Sequence, residues 1–179
     1  MDPTDEKKAA RLYMLFKVHK AHQEGTAPPK RPVISGSGSI TENRSRFCQH
    51  YMKQVSKDYN SFIRDICDFL RHIQSIDNLP PNSVLVNIVA TGLYTHIPRD
   101  EGIKATREAL DRRKDKSVPT DFIIKLLELL TKWNIFEFNG KYFQQLEGTA
   151  MGQTHAPDYD DIFMATMDQL ILEAAASHG

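Results

Sequence analysis

A chain of 179 residues with 40 % hydrophobic side chains has enough apolar material for one core, and its length bounds it to one domain or a piece of a larger protein. Lys plus Arg and Asp plus Glu both total 23, so no global basic field exists and any nucleic-acid surface has to be local. Cys48 and Cys67 sit in no C-x-x-C pair and beside no histidine cluster at ligand spacing, which argues against a disulfide scaffold and structural zinc and for a reducing compartment.

The first eight residues are polar and mixed in charge, with no apolar core of a signal peptide and no long apolar run anywhere after them. The expectation is an intracellular protein, cytoplasmic or nuclear, without a membrane partner. Basic residues gather toward the first third (Lys7, Lys8, Arg11, Lys17, Lys20, Lys30, Arg31, Arg44 and Arg46), a bias for which a solvated face is the plain alternative. Arg11 to Lys20 and Arg31 to Ser35 read as two strands flanking a loop broken by Gly25, Pro28 and Pro29. Gly36 and Gly38 form a turn, and Thr41 is placed to cap a helix opening at Glu42. Apolar residues then recur from Met52 to Ile73 at the spacing of one buried helical face, with a break near Asp58 and an end at Leu79-Pro80-Pro81-Asn82.

Val84 to Ala90 is a short apolar run rich in β-branched residues, suited to a central strand covered on both faces. Ile103 to Asp111 and Asp121 to Trp133 read as two amphipathic helices. Between them lie Pro119 and the charged run Arg112 to Lys116, expected as a solvated loop. Asn139-Gly140, between Phe136-Glu137-Phe138 and Lys141-Tyr142-Phe143, is a strong hairpin signal. A closing helix is expected from Pro157 to Ala176, with Ile162, Phe163, Thr166, Leu170 and Ala174 on its apolar face.

The segment Leu146-Glu147-Gly148-Thr149-Ala150-Met151-Gly152-Gln153 is a glycine-bracketed turn leading into a helix that begins near Pro157, a form suited to close contact with a nucleic-acid backbone. Together with Val84 to Gly102, which contains Leu93-Tyr94-Thr95 and Ile97-Pro98, it resembles the reverse transcriptases of Penelope-like retroelements. The palm of that family carries L-V-T-L-D-V-T-S-L-Y-T-N-I-P followed by Q-G-T-A-M-G. The resemblance runs from about Tyr13 to Leu172. It includes Arg31-Pro32-Val33-Ile34-Ser35-Gly36, similar to the family's R-P-I-V-S-G, and Lys17, His19 and Lys20, similar to its L-P-K-I-H-K with Phe16 in place of the proline.

The resemblance implies an α+β fold, the fingers and first part of the palm of a right-hand polymerase, with mixed helices and a small antiparallel sheet. Residues 1–82 correspond to fingers and residues 83–179 to a partial palm with motifs A and B and no motif C. It further implies nucleotide contacts at Arg31, Tyr94, Glu147 and Gly148, and nucleic-acid contacts at Lys17, Lys20, Lys30, Gly152 and Gln153. Glu147 departs from the family's glutamine and puts an anion where phosphates would lie.

Polymerases of this family use Mg2+ held by carboxylates, because hard cations need oxygen ligands. Val89 stands at the motif A aspartate position, and its isopropyl group cannot coordinate a metal. Tyr159-Asp160-Asp161 looks like a contracted Y-x-D-D. Its surroundings match instead the family's A-P-S-Y-A-N-L-F-M of motif B, where successive helical residues diverge by about 100 degrees. The expectation is therefore a reverse-transcriptase-like domain, RNA-directed DNA polymerase by descent, that is inactive as written and carries no cofactor. The alternatives are a residual module binding RNA or an RNA/DNA hybrid, and a relic without a retained role.

Overall fold

The computed structural model describes residues 8–20 and 25–178. Of the basic residues gathered in the first third, Lys7 lies outside them. Strand β1 (Ala10–Phe16) and strand β2 (Lys30–Ser35) form the expected hairpin, antiparallel with Arg11 opposite Ser35 and Phe16 opposite Lys30. Helix α1 (Glu42–Ser56) follows. Thr41 stands at its cap with its hydroxyl 3.0 Å from Ser39 Oγ and no capping bond to the helix, and Glu42 fastens the entry instead, accepting from Gly38 N at 2.7 Å and from Arg46 Nη2 at 2.6 Å.

The periodicity that continued to Ile73 is interrupted for nine residues before helix α2 (Ile66–Gln74), which Asp65 caps by accepting from Asp68 N at 2.8 Å. This helix ends well before Leu79, and none of its residues is buried.

Helix α3 (Leu93–His96) is a single turn; helix α4 (Arg99–Arg112) starts behind Pro98, four residues before the expected Ile103, and helix α5 (Thr120–Lys132) starts behind Pro119 as read from the sequence. Their joint is the expected loop, with Lys114, Asp115 and Lys116 exposed, and Arg113 alone departs from it. Arg113 is buried, and its guanidinium donates to the carbonyls of Asp115 at 2.7 Å, Leu110 at 3.1 Å and Val118 and to Thr120 Oγ1 at 2.8 Å. A charge can be buried there because the surrounding carbonyls satisfy its donors.

Strand β3 (Ile135–Phe138) turns through Asn139 and Gly140, at φ 50 and 72, into the antiparallel strand β4 (Lys141–Gln144). Positive φ at both central residues is what a two-residue hairpin turn of this kind requires.

The sheet has the order β2-β1-β3-β4, and β1 runs parallel to β3, so it is mixed rather than the antiparallel sheet expected. Two hairpins from distant parts of the sequence have joined edge to edge. Helix α6 (Ala156–His178) closes the fold, with Ile162 buried and Phe163 and Thr166 half-buried, while Leu170 and Ala174, placed on its apolar face by periodicity, are exposed. The fold is thus α+β, with a helical layer beside one sheet.

The main core lies among α1, α4, α5 and α6 and is built on Met52, Leu110, Ile123, Leu127, Tyr159 and Ile162. A second, smaller cluster of Ala10, Ile34 and Ala150 sits against the sheet.

Val84 to Ala90 forms no strand. No described strand pairs with it, and its apolar side chains are 71 to 87 % exposed, Val89 among them at 75 %. The composition suits a covered strand, but a strand exists only where a neighbour takes up its backbone donors and acceptors.

Candidate functional site

Three stretches far apart in the sequence meet at the turn from Gly148 to Gln153. On one side it joins β2, where Ile34 N donates to Met151 O at 2.7 Å and Gly36 N to Gly152 O at 3.3 Å. On the other it joins α3, where Thr149 N donates to Tyr94 O at 2.6 Å.

The two glycines are required by these approaches. Gly148 has φ +68, and a Cβ there would run into the Tyr94 carbonyl and lie 2.7 Å from Thr95 Cα. Gly152 has φ +114, and its Cβ would lie 2.6 Å from Ile34 O. Both conformations also disfavour an L side chain whatever the space.

The approach to the turn is braced by residues that the sequence did not single out. Gln145 Nε2 donates to the carbonyls of Glu147 at 2.8 Å and Thr149 at 3.1 Å, and Asn134 Nδ2 fixes Gln145 Oε1 at 3.0 Å. Arg99 Nη2 donates to Leu146 O at 2.6 Å. Behind the turn, His155 N donates to Ser45 Oγ at 3.0 Å and the Ser45 hydroxyl faces His155 Nδ1 at 2.8 Å, locking α6 to α1. Burial pushes His155 down to about 4, so the ring is neutral near pH 7. None of these contacts leaves a periodicity or a motif in the sequence, because each depends on which long-range neighbour arrives.

Tyr94 lies at this place, and Arg31, on β2 three positions before Ile34, is near enough for its charge to reach it. The half-buried Tyr94 phenol is held above its ordinary pKa first by burial, then by the charges of Asp160 and Asp161, while Arg31 is near enough to oppose them. Arg31 itself is exposed and makes no side-chain hydrogen bond or ion pair among the described residues. Its planar fork therefore faces solvent, suited to phosphate oxygens. Gly148 and Gln153 are buried in the turn, Gln153 Oε1 without a partner, and Gly152 reaches the surface.

Glu147 is exposed beside the turn. Lys17, Lys20 and Lys30 lie elsewhere, at the far end of the β1–β2 hairpin, where Lys17 N bonds Pro29 O at 2.8 Å and the Lys30 ammonium sits 5.3 Å over the Phe16 ring. Lys30 is four positions from Ile34 along the strand, roughly 13 Å at the usual rise, and Arg31 is one position nearer.

The first two turns of α6 carry Asp158, Asp160 and Asp161, near enough for their charges to act on one another, though among the described residues they form no metal-ligand group. Asp158 Oδ1 accepts from Ser56 Oγ at 3.1 Å, whereas Asp161 lines a groove of about 260 Å³ with Ser56, Ser61 and Asp168. Asp160 is 3 % exposed, and neither carboxylate oxygen has a hydrogen-bond partner. Burial, with Asp161 adding to it, pushes Asp160 up to about 7. Favourable exposed charges at a helix start, the simple reading of these aspartates, therefore describes neither Asp158 nor Asp160.

Among the described residues no three His, Cys, Asp or Glu side chains come together as metal ligands. A Mg2+ pair does not fit these residues: Val89 is apolar, Asp158 is taken up by Ser56, and the aspartates of α6 form no ligand group. Compared with protein-family models and with curated proteins, the chain matches no family model and no curated protein.

Proposed function

We propose that this chain is a reverse-transcriptase-like domain of Penelope-like descent that has no catalytic activity of its own and binds an RNA/DNA hybrid or RNA through the Gly148–Gln153 turn and Arg31. One observation carries the reading. Arg31–Gly36, Leu93–Thr95 and Gly148–Gln153, three of the segments that resemble the family, are hydrogen-bonded into one place although they are scattered over more than a hundred residues. A fingers strand, the aromatic after motif A and the motif B turn would have to meet in this way around a primer-template.

The turn offers backbone at close range, Arg31 offers a free guanidinium, and Tyr94 offers a ring face for stacking against a sugar or base. Phosphate contacts of this kind need no metal. Chemistry is a different matter, since in-line transfer of a nucleotide needs metal-held oxygens and the motif A position is Val89.

Fluorescence anisotropy of a labelled RNA/DNA primer-template across a salt series tests the reading. Saturable binding that weakens with salt, and about tenfold or more with Arg31→Ala, is the expected result for a bidentate phosphate contact. No binding by the folded chain would overturn it. That outcome would favour a second reading, a relic of the same descent with no retained ligand, for which the exposed Val84–Ala90 segment already speaks.

A further inference from the structure

We propose that the outer face of α1 is a second contact line for the nucleic-acid backbone, carrying the strand onward from the turn along Arg46, His50, Lys53 and Lys57. The inference rests on the reading of the chain as a nucleic-acid-binding domain and adds a surface that the resemblance did not indicate.

Helix α1 buries Ser45, Cys48, Met52, Val55 and Ser56, so its opposite side is turned outward. On that side the four basic residues follow at intervals of four, three and four positions, which places them in one row along the helix. With Gln49, Gln54 and Thr154 they line an open groove of about 760 Å³ that no carboxylate lines.

Lys53 and Lys57 make no side-chain hydrogen bond or ion pair among the described residues. Arg46 has one bond, to Glu42, and His50 is close enough to Asp115 for their charges to interact. In a chain of zero net charge, two free ammonium groups flanked by an arginine and a histidine are a local accumulation of positive potential.

A nucleic acid fits this groove for three reasons. Arg46 to Lys57 spans about 16 Å along the helix, the reach of roughly five phosphates of one strand. Gln49 and Gln54 add neutral donors and acceptors that suit sugars and base edges. Thr154, two residues beyond Gly152, joins the groove directly to the turn to which Ile34 and Gly36 are bonded, so one strand could follow both without a gap.

The test repeats the anisotropy salt series with full-length Lys53→Gln/Lys57→Gln, against Lys104→Gln/Lys125→Gln, which removes the same charge from exposed positions on α4 and α5. The expected result is about tenfold weaker binding for the α1 variant and a salt slope lower by about 1.4 to 1.8, the loss of two phosphate contacts, with little change in the control. Equal effects of the two variants overturn the α1 line and leave the turn standing. Loss with the α1 variant but none with Arg31→Ala keeps the α1 line and removes the turn as the site. Absence of any binding by the parent chain overturns both. A polyglutamate of equal charge that binds as tightly as the hybrid would make the occupant an acidic polypeptide and overturn the proposal as well.

Discussion

Gly148 has to satisfy two conditions, a left-handed backbone and contact with the Tyr94 carbonyl, so its replacement tests the geometry of the turn directly. Gly148→Ala is expected to destabilise by about 2 kcal/mol or more, whereas Gly38→Ala, at φ +70 with open space around it, loses only about 1 kcal/mol. Chemical denaturation of both variants checks the difference. Arg113 makes a comparable test of the α4–α5 joint: Arg113→Lys keeps the charge but cannot reach three carbonyls and a hydroxyl at once. It is expected to cost about 2 to 4 kcal/mol, read as a lower denaturation midpoint.

Asp160 gives a pH signature. Its folded pKa is raised to about 7 from an unfolded value of about 3.9, so the folded chain holds a proton that the unfolded chain has released. Stability from this group is present below about pH 4 and is lost as pH rises to about 7. The neutral isostere Asp160→Asn should therefore gain on the parent progressively over that window, by up to a few kcal/mol, and no further above it. The depressed pKa of His155 works the other way, removing stability as pH falls from about 6.5 toward 4, and is common to both chains. The difference between the two melting profiles isolates Asp160, and a difference independent of pH would refute its burial.

Among the elements, those fixed by short-range chemistry were legible in the sequence. Pro119 before α5, the Asn139-Gly140 turn and the glycines ahead of α1 act within a few residues, and each is where it was read. Elements that need a distant neighbour were not. The run of valines, leucine and isoleucine from Val84 describes what a segment is able to bury, and nothing in it says whether a second strand is at hand. The apolar stripe of α2 misleads in the same way.

The site was partly legible. Tyr94, Gly148, Gly152 and Gln153 came from motifs whose spacing survives, and they meet, with Arg31 near enough for its charge to reach Tyr94. Lys17, Lys20 and Lys30 came from the same comparison and sit at the other end of their hairpin. Asp160 was read as part of the motif B helix, and its burial was not legible because the face a helix buries near its start depends on what packs there. Since Val89 stands in solvent, Val89→Asp should change stability by less than about 0.5 kcal/mol and should not produce primer extension, because no further carboxylates converge beside it. Extension above the parent's background would overturn the assignment of the domain as inactive.

Over the whole molecule, the helical layer carries the larger core, while α2 and the stretch before α3 leave Ile66, Leu70, Leu85 and Val86 open to water. Exposed apolar chain with free backbone groups invites pairing between copies. Light scattering is expected to show association rising with concentration, and Leu85→Lys to reduce it without moving the denaturation midpoint. The parallel contact of β1 with β3 joins residues more than a hundred positions apart, whereas each hairpin closes locally. Bringing such distant segments together costs loop entropy before any contact repays it, so the two hairpins can form early and the seam between them has to wait until the helices are in place. The Ala10–Phe136 seam is thereby expected to form last and, in hydrogen exchange, to be the first line along which the two halves part.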